Sequence, residues 1–148
     1  MTELETILVP VDFSAHSEQA VRYAVGLAKR FGSTLHLLHA YHLPVEVATP
    51  DTIAVPRDFW ASLREAASRK LGEAAAKATG EGVKVEMLLT EGAPAPAITQ
   101  AAERLHADLI VMGTRGLTGL KHVLLGSVAE RVLRTAPCPV LTLKDGTE

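Results

Sequence analysis

The sequence predicts an α/β fold: a single-domain, open five-stranded parallel sheet with helices on both faces. Three observations carry that expectation. Apolar runs of strand length alternate along the chain with segments of helical periodicity. The first of those runs is continuously apolar, the pattern of a strand covered on both sides. The length of 148 residues fits one domain, and 47% apolar with 22% charged residues supplies a core and argues against disorder.

Thr6-Ile7-Leu8-Val9-Pro10-Val11 reads as a first buried strand, with Pro10, which lacks an N–H, near its carboxyl end. Ser14 or Ser17 can cap the next helix, where Ala20, Val21, Ala24, Val25, Ala28 and Phe31 recur at helical spacing before Gly32 stops it. Thr34 to Tyr41 is a second buried strand, and Pro44, Pro50 and Pro56 make 42–56 a surface loop. A long helix follows from Asp58 to Thr79 and ends before Gly80 and Gly82. Val83, Val85, Met87 and Leu89 alternate with polar residues, as in a strand half open to solvent or near an edge. Gly92 turns the chain, and Pro94 and Pro96 suit the first turn of a helix carrying Ile98, Ala101, Ala102 and Leu105. Asp108 to Met112 is a fourth strand, Ser127 to Leu133 a helix, and Val140-Leu141-Thr142-Leu143 a last strand.

Strands connected in this order need right-handed crossovers. Ligands of such sheets sit outside the carboxyl ends of the strands, where strand order reverses. Two turns qualify by position: Pro10 to Ser14 after the first strand, and the segment from Met112 after the fourth. If both strands are central, the turns face each other across one cleft. Gly113-Thr114-Arg115-Gly116, nine further residues, then Gly126-Ser127 form the chemically informative stretch. Glycines at 113 and 116 let the backbone approach a ligand closely and adopt positive φ, and successive amides in such a turn can cradle an anion. Gly126-Ser127 opens a helix, whose free amides and dipole suit a phosphate. The alternative is an ordinary glycine-rich loop. Charge favours the anion site: from Gly113 to Thr135 there are four cations (Arg115, Lys121, Arg131, Arg134) against one anion, Glu130. Arg131 and Arg134 themselves read as solvated helix residues.

Several classes are disfavoured. A net charge of −2 and a pI near 6.3 lack the basic footprint of a nucleic-acid binder. The apolar run near the N-terminus is too short for a membrane span or a signal sequence, so no membrane partner is expected and the cytoplasm is the expected compartment. The single Cys138 forms no internal disulfide, agrees with a reducing compartment, and has no evident activating base. There is no G-x-x-x-x-G-K-[ST] and no G-x-G-x-x-G after the first strand, so neither a P-loop NTPase nor a dinucleotide enzyme is indicated. His36, His39 and His42 are spaced by three on a strand and its exit, and neighbours at that spacing face opposite sides, so no shared metal site is expected. His122 lies inside the glycine loop, where a surface role is expected and contact with a ligand is the alternative. No catalytic base, nucleophile or metal cluster is visible.

The pattern G-x-x-G, nine residues, G-[ST] directly after a buried strand resembles that of the universal stress protein family, in its ATP-binding branch. Ile7-Leu8-Val9-Pro10-Val11-Asp12-Phe13-Ser14 is similar to the family's first strand and turn, and Pro137-Cys138-Pro139-Val140-Leu141 to its closing strand. The likeness implies one such domain over residues 1–148 with strand order 3-2-1-4-5, an adenine nucleotide alpha hydrolase-like arrangement. It also implies ATP, or ADP or AMP, in the cleft, with Mg2+ accompanying the phosphates. Carried onto this chain, Asp12 would bond the ribose or the adenine edge, and Pro10 and Val11 would line the base. Ala40 and Met112 would pack on adenine, while Gly113, Arg115, Gly116, Gly126, Ser127 and Val128 would hold ribose and phosphates. Val11 departs from the small hydroxyl residue common there, and the charge of Arg115, at a variable position, should favour more phosphates. Asp12 has a competing reading as a helix-capping acid; its place at the expected switch point favours the site. The last strand is expected at a sheet edge, where pairing with its copy would satisfy unpaired backbone groups. The resemblance likewise implies a homodimer through Val140, Leu141, Thr142 and Leu143. The expected function is a nucleotide-binding sensor or regulator of the stress response. The alternative is a slow ATPase or phosphotransferase that uses Asp12 with a metal ion.

Overall fold

In the computed structural model, residues 3–41, 57–115 and 125–144 are described. The elements are β1 (Thr6–Pro10), α1 (Ala15–Phe31), β2 (Thr34–Tyr41), α2 (Arg57–Gly80), β3 (Val85–Glu91), α3 (Pro94–Leu105), β4 (Leu109–Gly113), α4 (Ser127–Thr135) and β5 (Val140–Leu143). They form one five-stranded sheet in the order β3-β2-β1-β4-β5, and each pairing is parallel. This is the expected order, with β1 and β4 central and β3 and β5 at the edges.

The two faces follow from strand alternation. Ile7, Val9, Leu35, Leu37 and Val111 point to one side, where Ala20, Ala24, Val25 and Ala28 of α1 and Leu71, Ala75 and Ala78 of α2 cover them. Leu8, Leu38, Ile110 and Met112 point to the other, under Ile98, Ala101 and Ala102 of α3 and Ala129 and Val132 of α4. Full burial of one such aliphatic side chain stabilises by roughly 1.5–3 kcal/mol. Ile7, Leu8 and Val9 are all at 0% exposure, so β1 is anchored from both faces and its carboxyl end is a fixed point of the molecule.

Local signals set most boundaries. Ser14 is the N-cap of α1 and accepts from Ser17 N, and Gly32 ends the helix at φ 70. Pro94 opens α3 as expected. Some expectations need correcting. α2 runs through Gly80, and it is Gly82, at φ 87, that turns the chain out. β3 begins at Val85 rather than Val83; it is the edge strand its alternation allowed, paired only with β2, and Met87 on it is 54% exposed. β4 begins at Leu109: Asp108 instead accepts from the Glu5 and Thr6 amides at 3.0 and 2.9 Å, tying β4 to the start of β1. The loop expected at 42–56 lies outside the described residues. Among the described residues no helix is long and apolar enough to cross a membrane.

Candidate functional site

Strand order reverses between β1 and β4, and a cleft opens there at the carboxyl ends of the strands. Pro10, Val11 and Asp12 line it from the end of β1, Ala40 from β2, and Met112, Gly113 and Arg115 from β4. Gly126, Ser127 and Val128 line it from the start of α4. Ten of the eleven residues singled out in the sequence therefore share one concavity; the eleventh, Gly116, lies outside the described residues, as do Lys121 and His122.

The two halves of the glycine pattern are joined by the backbone. Gly126 N donates to Thr114 O at 2.5 Å, and Thr114 N donates to Leu143 O at 3.1 Å. The end of β4, the start of α4 and the end of β5 are thus held together at the mouth of the cleft. This gives the glycines a reason different from the expected one. Gly113 is not among the residues with positive φ, and Gly126, the N-cap of α4, has φ −67 and ψ 158, values open to any residue. What they lack is room. A Cβ on Gly126 would stand 3.0 Å from Thr114 O, and one on Gly113 would stand 3.0 Å from the His16 Cβ. The tight approach is to the protein's own chain, so a bulky Gly126 variant disturbs the loop before it meets any ligand.

Gly126 supplies no side-chain acceptor to the first turn of α4, whereas Ser14 supplies one to α1. The first-turn amides of α4 and the positive end of its dipole are therefore left for another acceptor at the cleft. Close by, Val11, Ala40, Met112 and Val128 present apolar surface, and Ala40 and Val128 pack with Met112 around the α3–α4 core. An apolar wall beside a helix N-terminus matches the two ends of an amphiphilic anion.

Asp12 does not cap α1; Ser14 does. Its Oδ1 accepts from Ser14 N at 2.9 Å and from the Ser14 hydroxyl, while Asp12 N donates to Ser17 Oγ at 3.3 Å. That carboxylate oxygen thus holds the turn, and Asp12 lines the cleft. The next residue, Phe13, sits in the left-handed region at φ 65, which a bulky side chain seldom adopts.

The cleft also has lining residues that the sequence did not single out for it: Ser17, Leu38, His39, Pro94, Ile98, Thr114 and Ala129. Thr114 stood inside the glycine pattern and could have been included. Pro94 and Ile98 carried no local signal, because they reach the site only through the packing of α3 over β2 and β1. Arg131 and Arg134 are exposed on α4, with Arg134 paired to Glu130. His36 is buried on β2 with its Nδ1 3.6 Å from Glu86 Oε2. Burial pushes its pKa below the ordinary 6.5, with the Glu86 charge opposing and Lys84 adding to the depression. Burial pushes the Cys138 thiol up, reinforced by the Asp108 charge, which keeps it a poor nucleophile. Among the described residues no group of three or more His, Cys, Asp or Glu could hold a metal ion.

Comparison with known proteins agrees with this geometry. The model of the universal stress protein family matches residues 3–144. Universal stress protein MJ0531 of Methanocaldococcus jannaschii is 39% identical over 142 residues, covering 93% of this chain and 81% of that protein. A universal stress protein of Thermus aquaticus is 40% identical over 146 residues, covering 95% and 98%. Among solved structures, MJ0577 superposes with a TM-score of 0.86 at 29% identity over 99% of this chain and all of its own. A universal stress protein in complex with cAMP gives 0.73 at 27% identity, covering 97% and 98%. One from Archaeoglobus fulgidus in complex with dAMP gives 0.66 at 25%, covering 97% and 100%.

Proposed function

The chain belongs to the universal stress protein family, and from that premise we propose that it binds an adenine nucleotide in the cleft between the ends of β1 and β4. Pro10, Val11, Ala40 and Met112 take the base, and Asp12 uses its second carboxylate oxygen for the ribose or the adenine edge. Gly113, Arg115, Gly126, Ser127 and Val128 take ribose and phosphates, a role also assigned to Gly116, which lies outside the described residues. One observation carries this reading: the N-terminus of α4, without a side-chain cap, opens beside the apolar ends of β1 and β2 and is held there by the Gly126–Thr114 bond. Relatives of the same fold, solved with cAMP and with dAMP, support an adenine nucleotide as the class.

ATP is the expected ligand, with ADP and AMP as weaker ones, because Arg115 adds positive charge beside the phosphate end. Mg2+ would enter with the phosphates, since Asp12 offers one carboxylate already half engaged by Ser14. The same shortage of ligands disfavours a metal-assisted hydrolase. The protein then acts in the cytoplasm as a dimeric sensor or regulator. β5 pairs with β4 on one side and forms a sheet edge on the other, so a second copy can add through Val140, Leu141, Thr142 and Leu143. Because Thr114 N donates to Leu143 O, the phosphate end of the cleft and that edge share a backbone link.

Mass spectrometry of small molecules released from freshly purified protein, followed by calorimetric titration with ATP, ADP and AMP, tests the ligand. Co-purifying adenine nucleotide or saturable binding is expected; no heat from any of the three at millimolar concentration refutes it. Light scattering tests the assembly: a dimer is expected for the wild type and a monomer for Thr142→Pro, which removes an edge N–H.

A further inference from the structure

His39 is an unused side chain beside the cleft. Its Nδ1 lies 2.8 Å from the carbonyl oxygen of Val11. A carbonyl only accepts, so Nδ1 carries the hydrogen and donates it. Val11 is thereby clamped from both sides, because its own N–H donates to Leu38 O at 2.8 Å. The His39 ring also packs on Phe13, with centroids 4.4 Å apart, and the Lys70 ammonium of α2 stands 5.6 Å from the centre of that Phe13 ring. Phe13 is the residue held at φ 65, between Asp12 and Ser14. A non-glycine residue stays in that region only when its surroundings over-determine it. Here the surroundings are His39 on one side and the Ser14 and Ser17 contacts of Asp12 on the other.

We propose that His39 is a positioning residue for the nucleotide cleft: its Nδ1–H bond to Val11 O holds the Val11–Phe13 turn so that Val11 and Asp12 meet the ligand. The proposal rests on the nucleotide reading of the cleft. Without the bond the strained turn relaxes, and the wall that Val11 and Asp12 form moves away from the base and ribose. Restoring a donor at that point restores the site. An asparagine amide places an N–H close to the position of the ring Nδ1, so Asn substitutes for the bond without the ring.

The test compares His39→Leu with His39→Asn in the full chain, reading ATP affinity by calorimetry and the Ser14 amide by hydrogen exchange. Expected is a loss of about five- to tenfold in affinity for H39L and recovery to within about threefold of wild type for H39N. The Ser14 amide, bonded to Asp12 Oδ1, should exchange faster in H39L and at the wild-type rate in H39N. Wild-type affinity in H39L, or an H39N as weak as H39L, overturns the proposal. If the wild type binds no nucleotide, the reading of the cleft fails, and exchange alone decides the positioning role: unchanged Ser14 exchange in H39L overturns it. Should H39L not fold, His39→Phe, which keeps a ring against Phe13 but has no donor, takes its place.

Discussion

Ser127→Glu should move stability and nucleotide binding in opposite directions. Ser127 is the first residue of α4, exposed, and on the rim of the cleft. A carboxylate in the first turn of a helix stabilises by about 0.3–1 kcal/mol through the dipole. For a domain of this size that raises Tm by about 1–4 °C. The same carboxylate would stand beside the phosphates. At a separation of about 5 Å in water the repulsion is about 1 kcal/mol per phosphate charge. Two charges cost the complex roughly a tenfold or greater loss of affinity. Differential scanning fluorimetry of the free protein and calorimetric titration with ATP measure the two quantities, and higher salt should shrink the affinity loss. An S127E variant that binds ATP as tightly as wild type would place the phosphates away from the start of α4. A joint fall of Tm and affinity would equally contradict the opposite movement expected here, because the variant would then have damaged the fold.

Gly126→Ala should lower stability by about 1–3 kcal/mol, since its Cβ would crowd Thr114 O at 3.0 Å and the N-cap position disfavours Ala; a urea midpoint unchanged from wild type would show that the loop yields freely. Gly26→Ala is its counterpart: Gly26 is exposed inside α1 with nothing within 4 Å of an added Cβ, so stability should rise by about 1 kcal/mol, and a lower midpoint would contradict the helix assignment there. His36 is held neutral by burial, so the unfolded chain binds its proton more readily than the folded one. Stability should therefore fall as pH drops below 6.5 towards the depressed folded value, and urea midpoints above and below 6.5 should show a smaller fall in His36→Leu.

The fold was legible because each strand signal was local and strong. Ile7 to Val9 and Ile110 to Met112 are continuous apolar runs, and Leu35 to Leu38 is broken only by His36; such runs are needed only where helices cover both faces. Boundaries were less legible where a side chain had tertiary work to do. Asp108 reads as part of a strand, yet its carboxylate is drawn to the β1 amides by a contact about a hundred residues away in the chain. At the site, the glycine spacing marked the right turns, but the reason for it was hidden. Whether Gly113 and Gly126 serve a left-handed backbone or a close approach depends on His16 and Thr114, whose nearness no sequence window shows. Asp12 suits both capping and binding in the sequence, and in the structure its Oδ1 is engaged by Ser14 while the residue lines the cleft. Pro94 and Ile98 escaped notice for a related reason: α3 carries them to the cleft by packing, with no motif of its own.

In the proposed complex a single adenine nucleotide lies across the ends of β1 and β4 with its phosphates at the start of α4. Amide chemical shifts of isotope-labelled protein titrated with ATP test it most directly. Saturable shifts are expected at Val11, Asp12, Ala40, Gly113, Arg115, Ser127 and Val128. Shifts confined to another surface, such as the groove between α1 and α2 that Val21, Val25, Ala74 and Ala78 line, would contradict it, as would none at millimolar ligand.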